Sequence, residues 1–184
     1  ALIAGPLLWG ATFFTKPEGM KEKEIYALDM IMSVFYLAAL FALSTVVLAA
    51  RASGDRAGRA FPIAAMVLFP FGVATSLGSV PHATYEDTPL WVNVTDPAWP
   101  LTQVALFCAS VAIIRARRWQ GAARWLPLAG SLWLVPCMIA QMFLSEKGLG
   151  VVYNGWMLGT YVALGALFLA RPETARPLPR TADA

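Results

Sequence analysis

The 184-residue sequence is poor in the side chains that most often bind metals or form disulfides. It contains one histidine, His82, and two cysteines, Cys108 and Cys137. A haem held by two histidines of one chain and a multi-histidine metal site are therefore excluded. The two cysteines form no C-x-x-C pair, which argues against ordinary thiol–disulfide exchange, and two cysteines are too few for a disulfide-rich scaffold.

Several catalytic motifs are also absent. The sequence has no H-E-x-x-H, no glycine-rich phosphate loop and no G-x-S-x-G accompanied by a histidine in an apolar run. No lysine lies within an apolar run, so a Schiff base at membrane depth has no candidate residue. We therefore predict no catalytic residue, no metal ligand and no cofactor.

What the sequence has in abundance is apolar residues. Hydrophobic residues make up 58% and charged residues only 14%, against roughly 45–50% and 25% in typical soluble proteins. Five runs approach the roughly 20 apolar residues that a membrane-spanning helix needs. The runs are Ile25–Ala50, Phe61–Val80, Trp99–Ile114, Trp125–Leu144 and Val151–Ala170. The predicted fold is an all-α, polytopic transmembrane helix bundle over residues 1–170.

A shorter apolar run, Ala1–Thr15, precedes Pro17. At 1.5 Å per residue it reaches only about 22 Å as a helix. We interpret it as the end of a first span whose beginning lies outside the sequence, which gives six spans in all. A signal-peptide remnant is the alternative, although no basic segment precedes the run. Residues 171–184 hold three prolines and no apolar face, and are predicted to form a disordered cytoplasmic tail.

Charge placement predicts the orientation. All ten arginines fall in residues 51–59, 115–124 and 171–180, whereas all four lysines and most acidic residues fall in the alternate segments. Short loops rich in arginine and lysine stay in the cytoplasm. We therefore expect both termini in the cytoplasm and the loop 81–98 outside. Alanine-rich composition and preference for arginine over lysine suggest a multi-pass protein of a bacterial inner or plasma membrane.

Tryptophans are enriched at membrane–water boundaries. Four of the seven fit such a position, and three do not. Those that fit are Trp91, Trp99, Trp119 and Trp125, and those that do not are Trp9, Trp133 and Trp156.

The candidate ligand or partner surface lies at the predicted outer boundary. Asp29 is the one acid inside an apolar run, and Tyr36 follows it on the same helix face. An intramembrane carboxylate suggests function by default. The long loop adds further polar and aromatic residues, namely His82, Glu86, Asp87, Trp91 and Asp96. The alternatives are an interfacial acid bonded to a neighbouring helix and an ordinary solvated loop.

A second feature concerns helix packing. Gly155, Gly159 and Ala163 recur at four-residue spacing in the last run. Small residues at this spacing allow another helix to approach closely. We expect this stripe to be a helix-packing face rather than a ligand site.

Two short segments carry a family resemblance. They are Gly5-Pro6-Leu7-Leu8-Trp9 in a first span ending at Pro17, and Asp96-Pro97-Ala98-Trp99-Pro100-Leu101 after the long loop. With these two segments in this order, the chain resembles uncharacterised six-span bacterial integral membrane proteins of the domain-of-unknown-function kind. The resemblance covers most of the chain and implies no activity or site.

Two functions remain in competition. The first is a non-catalytic accessory or structural subunit of a membrane assembly, which the missing catalytic motifs and the small-residue helix face favour. The alternative is a small transporter, or a binder of a lipid or small molecule, that uses the outer loop and the Asp29 face. The expected partners are the lipid bilayer and either another membrane protein or a second copy of the chain. Nucleic acid is not expected, because topology already explains the basic residues.

Overall fold

The computed structural model describes residues 1–17, 20, 24–54 and 56–175. Within these ranges the chain is helical and contains no β-strand. The helices are α1 (Ala4–Thr15), α2 (Ala27–Ala49), α3 (Arg56–Ser79), α4 (Leu90–Thr95), α5 (Ala98–Ala116), α6 (Ala122–Ser131), α7 (Leu134–Gln141), α8 (Glu146–Met157) and α9 (Ala163–Ala170). A π-helical segment, Leu158–Val162, joins α8 to α9. The predicted all-α helix bundle is confirmed.

Four stretches are long and apolar enough to cross a membrane, namely Ala27–Ala49, Arg56–Ser79, Leu90–Ala116 and Lys147–Ala170. The pair α6 and α7 reaches the same length and composition but is bent by 44° at its junction. The described part of the chain therefore has four stretches able to cross a membrane, or five with this pair, which fits an integral membrane protein. The second of them begins five residues earlier than predicted, so that Pro62 lies inside α3.

The bend between α6 and α7 lies within the predicted span Trp125–Leu144, which Pro127 and Pro136 interrupt. Pro136 has no N–H to donate to the carbonyl of Leu132, and its ring crowds that carbonyl. The α-helical hydrogen bonds, which join residues four apart, are replaced there by bonds between residues three apart. The N–H of Val135 donates to the carbonyl of Leu132 at 3.0 Å. Trp133 lies at the junction as a result, and its side chain is buried in the bundle.

One end of the bundle gathers the acidic loops. The N–H of Ile25 donates to the carbonyl of Ala83 at 2.9 Å, which joins the α1–α2 connection to the loop after α3. That loop contains a 3₁₀ turn (Tyr85–Asp87) and the helix α4. Val92 of α4 is buried close to Gly78 of α3. We call this end, with the described residues of the connections 16–26, 80–97 and 142–145, the acidic end.

The opposite end gathers the arginines. The guanidinium of Arg118 donates to the carbonyl of Arg51 at 3.1 Å, and Arg124 donates twice to the carbonyl of Ile114, at 3.2 and 2.7 Å. Arg118 and Arg171 line one surface cavity. Described arginines from all three segments therefore lie at one end of the bundle, which we call the arginine end.

Close helix contacts occur at glycines other than those predicted. A Cβ on Gly5 of α1 would collide with the backbone carbonyl of Phe35, and one on Gly165 would meet Ile3 at 2.8 Å. Gly155 and Gly159 face outward, with no described atom within 4 Å of either Cβ position. The predicted stripe Gly155, Gly159 and Ala163 is therefore not what packs the last span against the described part of this chain.

The first residues of the predicted disordered tail are ordered. Residues Pro172–Ala175 form a short 3₁₀ turn after α9. Residues 176–184, where most of the predicted disordered tail falls, lie outside the described residues.

Candidate functional site

A cluster of aromatic rings occupies the middle of the bundle around Trp9. The centroid of the Trp9 ring lies 4.7 Å from that of Tyr36, 5.2 Å from Trp99, 5.6 Å from Trp133 and 5.1 Å from Tyr153. The Trp133 and Tyr153 rings meet Trp9 edge to face, an arrangement that the ring quadrupole favours. These rings come from α1, α2, α5, the α6–α7 junction and α8. The cluster thus connects five parts of the chain.

Two irregular segments supply rings to the cluster. Trp133 lies at the α6–α7 bend, and Tyr161 lies in the π-helical segment, where its centroid is 6.0 Å from that of Tyr36. A π-helical turn inserts an extra residue and re-aims the side chains near it, often at a functional site. Both departures from regular helix therefore place an aromatic ring in the same cluster.

A cavity of about 280 Å³ lies against this cluster. We call it the aromatic cavity. Its lining includes Trp9, Asp29, Tyr85, Asp96, Trp99, Gln103 and Trp133. Of these, Tyr85 and Asp96 are exposed at the acidic end. The aromatic cavity therefore extends from the bundle interior to the surface at that end.

Asp29 is held by α1. Its Oδ1 accepts a hydrogen bond from Nε1 of Trp9 at 2.9 Å and another from Oγ1 of Thr12 at 2.6 Å. Asp29 also lies in the first turn of α2, where the helix dipole favours a negative charge. The interpretation of Asp29 as an acid bonded to a neighbouring helix is thus confirmed. Its Oδ2 accepts no hydrogen bond from the residues that the structure describes.

Hydroxyl groups orient one wall of the aromatic cavity. Oγ of Ser33 donates to Oγ of Ser76 at 2.9 Å or to the carbonyl of Met30 at 2.7 Å. Nε1 of Trp99 donates to Oγ of Ser76 at 3.3 Å. Because Ser76 lies on α3 and Ser33 on α2, these bonds fix the Trp99 indole relative to two spans.

Two further buried polar side chains line the cavity. Gln103 and Trp133 are 3% and 8% exposed there. The amide of Gln103 lies beside the hydroxyl of Tyr36, which also interacts with Tyr161. Among the described residues, nothing bonds Nε1 of Trp133. A buried polar group without a bond costs about 1–3 kcal/mol, so this N–H is available to a polar molecule in the cavity.

The mouth of the cavity carries negative charge. Burial raises the pKa of the Tyr85 phenol, and the negative charges of Asp29 and Asp96 raise it further. These two carboxylates thus act together on the same region, although they lie 67 residues apart in sequence.

The structure divides the predicted surface into three groups. Asp29 and Asp96 line the aromatic cavity. Tyr36 is not a surface residue, since it is fully buried in the ring cluster. The remaining predicted residues lie at the acidic end but do not line the cavity, and they are His82, Glu86, Asp87 and Trp91.

Sequence reasoning missed Trp9, Gln103 and Trp133 as site residues. Trp9 and Trp133 are two of the tryptophans that do not fit a membrane boundary, and Gln103 is an amide inside an apolar run. These departures from the expected pattern are the sequence features that could have indicated the site. What the sequence does not reveal is the direction of the α6–α7 bend, which brings Trp133 to Trp9.

No group of three or more histidine, cysteine or acidic side chains in the described ranges is arranged to hold a metal ion. Cys108 and Cys137 are both free thiols.

Comparison with protein-family models, with curated proteins and with solved structures gives no match to this chain. The site must therefore be interpreted from its own geometry.

Proposed function

We propose that this integral membrane protein binds a small molecule in the aromatic cavity, as a binding protein or a small transporter. The observation that carries the proposal is that three tryptophans line one cavity together with two buried polar groups, the Gln103 amide and the unbonded Nε1 of Trp133. Ligand sites are typically apolar and aromatic with a few convergent polar groups. The volume of about 280 Å³ falls just below the roughly 300–1,000 Å³ of drug-sized sites, so the ligand is small.

The broken helix supports the same proposal. Non-helical backbone at membrane depth is tolerated where it is buried in protein or lines a cavity. Transporters place substrate sites at such breaks. Here Trp133 lies at the junction of α6 and α7 and also lines the aromatic cavity.

We further propose that the aromatic cavity opens to the non-cytoplasmic side. The arginine end carries the loops that the positive-inside rule assigns to the cytoplasm. The aromatic cavity reaches the surface at the acidic end, through Tyr85 and Asp96. The ligand would therefore enter from outside the cell.

A cavity-filling substitution tests the binding proposal. Met30 lines the aromatic cavity, so Met30→Trp is expected to fill it and to abolish binding. The measurement is native mass spectrometry of the full chain purified from its membrane in mild detergent. We expect a stoichiometric small molecule on the wild type and none on Met30→Trp.

The matched control is Met142→Trp. Met142 is 77% exposed and lies outside the aromatic cavity, so this variant is expected to keep the bound molecule. Thermal unfolding of both variants checks that each is folded. A wild type without a bound small molecule, or equal occupancy in all three proteins, would contradict the proposal.

The accessory-subunit function is the second candidate, and the exposed stripe of Gly155 and Gly159 favours it. With no described atom within 4 Å of either Cβ position, a helix of another molecule could approach α8 and the π-helical segment closely. A stoichiometric membrane protein in the same purification would support this function.

A further inference from the structure

We infer that the ligand of the aromatic cavity is a small organic cation, because three tryptophans and two carboxyl groups line it together. This inference rests on the proposed function, since it names the class of molecule that the cavity would bind. Three features support it, namely the charge of the lining, the aromatic walls and the Gln103 amide, and each restricts the ligand in a different way.

The charge of the lining is of one sign. Asp29 and Asp96 line the aromatic cavity, and none of its lining residues, all from described parts of the chain, is lysine, arginine or histidine. Lys16 acts electrostatically on Asp29 but does not line the cavity. An anionic ligand would therefore meet two like charges in a low-dielectric site, whereas a cation would meet two opposite charges.

The aromatic walls distinguish an organic cation from a metal ion. Trp9, Trp99 and Trp133 all line the cavity. Tryptophan faces attract ammonium groups within about 6 Å of the ring, and they bind quaternary ammonium groups in this way. Inorganic cations such as Ca²⁺ instead require six or more oxygen ligands.

The Gln103 amide adds a polar requirement. Gln103 lines the same cavity, and its interaction with the Tyr36 hydroxyl leaves further donor and acceptor positions of the amide open. A hydroxyl or carbonyl group on the ligand would pair with this amide. A small ammonium compound with one such group, such as choline, fits all three features.

Charged thiol reagents test the class of ligand on the full chain. We place a cysteine in the cavity by Met30→Cys, after replacing Cys108 and Cys137 with alanine. The probes are a methanethiosulfonate carrying a trimethylammonium group and one carrying a sulfonate group. The reference position is Asn93→Cys, which is exposed at the same end and does not line the cavity.

We expect the ratio of the two reaction rates, ammonium over sulfonate, to be at least about tenfold higher at Met30→Cys than at Asn93→Cys. A cleft lined by one sign of charge concentrates counter-ions by about 10–1,000-fold. Asp29→Asn should lower the ratio at Met30→Cys severalfold. The side chain stays isosteric, and its Oδ1 still accepts the bonds from Trp9 and Thr12. Asp87→Asn makes the same change of charge at the same end outside the cavity, and should leave the ratio unchanged.

The outcomes separate the inference from the proposed function. Equal ratios at the two positions, or a faster sulfonate reaction at Met30→Cys, would overturn the cation and leave an accessible cavity. No reaction of Met30→Cys with either reagent, while Asn93→Cys reacts, would show a closed cavity and would overturn the proposed function as well. A ratio that Asp29→Asn and Asp87→Asn lower equally would assign the effect to the general charge of the acidic end, and would also overturn the inference.

Discussion

Replacing Gly5 with leucine is expected to prevent α1 from docking on α2 and to lower the thermal stability of the protein sharply. Even a Cβ atom at this position would collide with the backbone carbonyl of Phe35 and would lie 2.9 Å from Cβ of Ala39. A backbone carbonyl inside a helix has little room to move. Overpacking usually costs about 1–3 kcal/mol, and we expect a value at or above the top of that range. The measurement is the midpoint of thermal unfolding in detergent.

The matched substitution is Gly159→Leu. Both replace a helical glycine by leucine, but no described atom lies within 4 Å of the Cβ position of Gly159. We expect its unfolding midpoint to stay close to that of the wild type for the isolated chain. A larger loss for Gly159→Leu than for Gly5→Leu would contradict the observed packing and would restore the helix face expected from the sequence.

Replacing Trp9 with alanine is the second change for which we expect a large effect. The Trp9 side chain is 8% exposed, lies in contact with four other rings of the cluster and donates a hydrogen bond to Asp29. Truncating a buried tryptophan costs about 3–5 kcal/mol. The substitution also leaves Asp29 with one donor, Thr12, in place of two. We therefore expect both a lower unfolding midpoint and loss of the bound small molecule.

Trp125→Ala is the control for this prediction. Trp125 is 54% exposed, on α6, and its ring lies beneath the guanidinium of Arg124 at 5.3 Å. Its truncation removes about the same number of atoms without opening the ring cluster, so we expect a loss of at most about 1 kcal/mol. Similar losses for Trp9→Ala and Trp125→Ala would indicate that the ring cluster does not organise the bundle.

The general architecture could be predicted from the sequence because it depends on composition. Long apolar runs require helices in a membrane, since every backbone polar group must find its partner within the segment. The separation of arginines from lysines and acids predicted two distinct ends, and Arg118 does meet Arg51 at one of them. These features are local or additive along the chain, so a single sequence is enough.

The candidate site could be predicted only in part. Asp29 was recognisable because a carboxylate in an apolar run is costly. Its connection to Trp9 was not, since it depends on how α1 packs against α2. The bend at Pro136 has a local cause, but its direction, and therefore the meeting of Trp133 with Trp9, depends on contacts between distant segments. Gly155 and Gly159 illustrate the converse, because a spacing suited to packing occurs on a face that the described part of the chain leaves exposed.

The central claim is that a cavity in the membrane bundle opens at the acidic end, on the side opposite to the cytoplasmic arginine end. The most direct measurement is labelling of intact cells with a membrane-impermeant thiol reagent, using single-cysteine variants of the chain without Cys108 and Cys137. Met30→Cys reports the aromatic cavity, Asn93→Cys the acidic end and Arg56→Cys the arginine end. We predict that Met30→Cys and Asn93→Cys are labelled and that Arg56→Cys is labelled only after the cells are permeabilised. Labelling of Arg56→Cys in intact cells, or protection of Met30→Cys while Asn93→Cys reacts, would contradict the account.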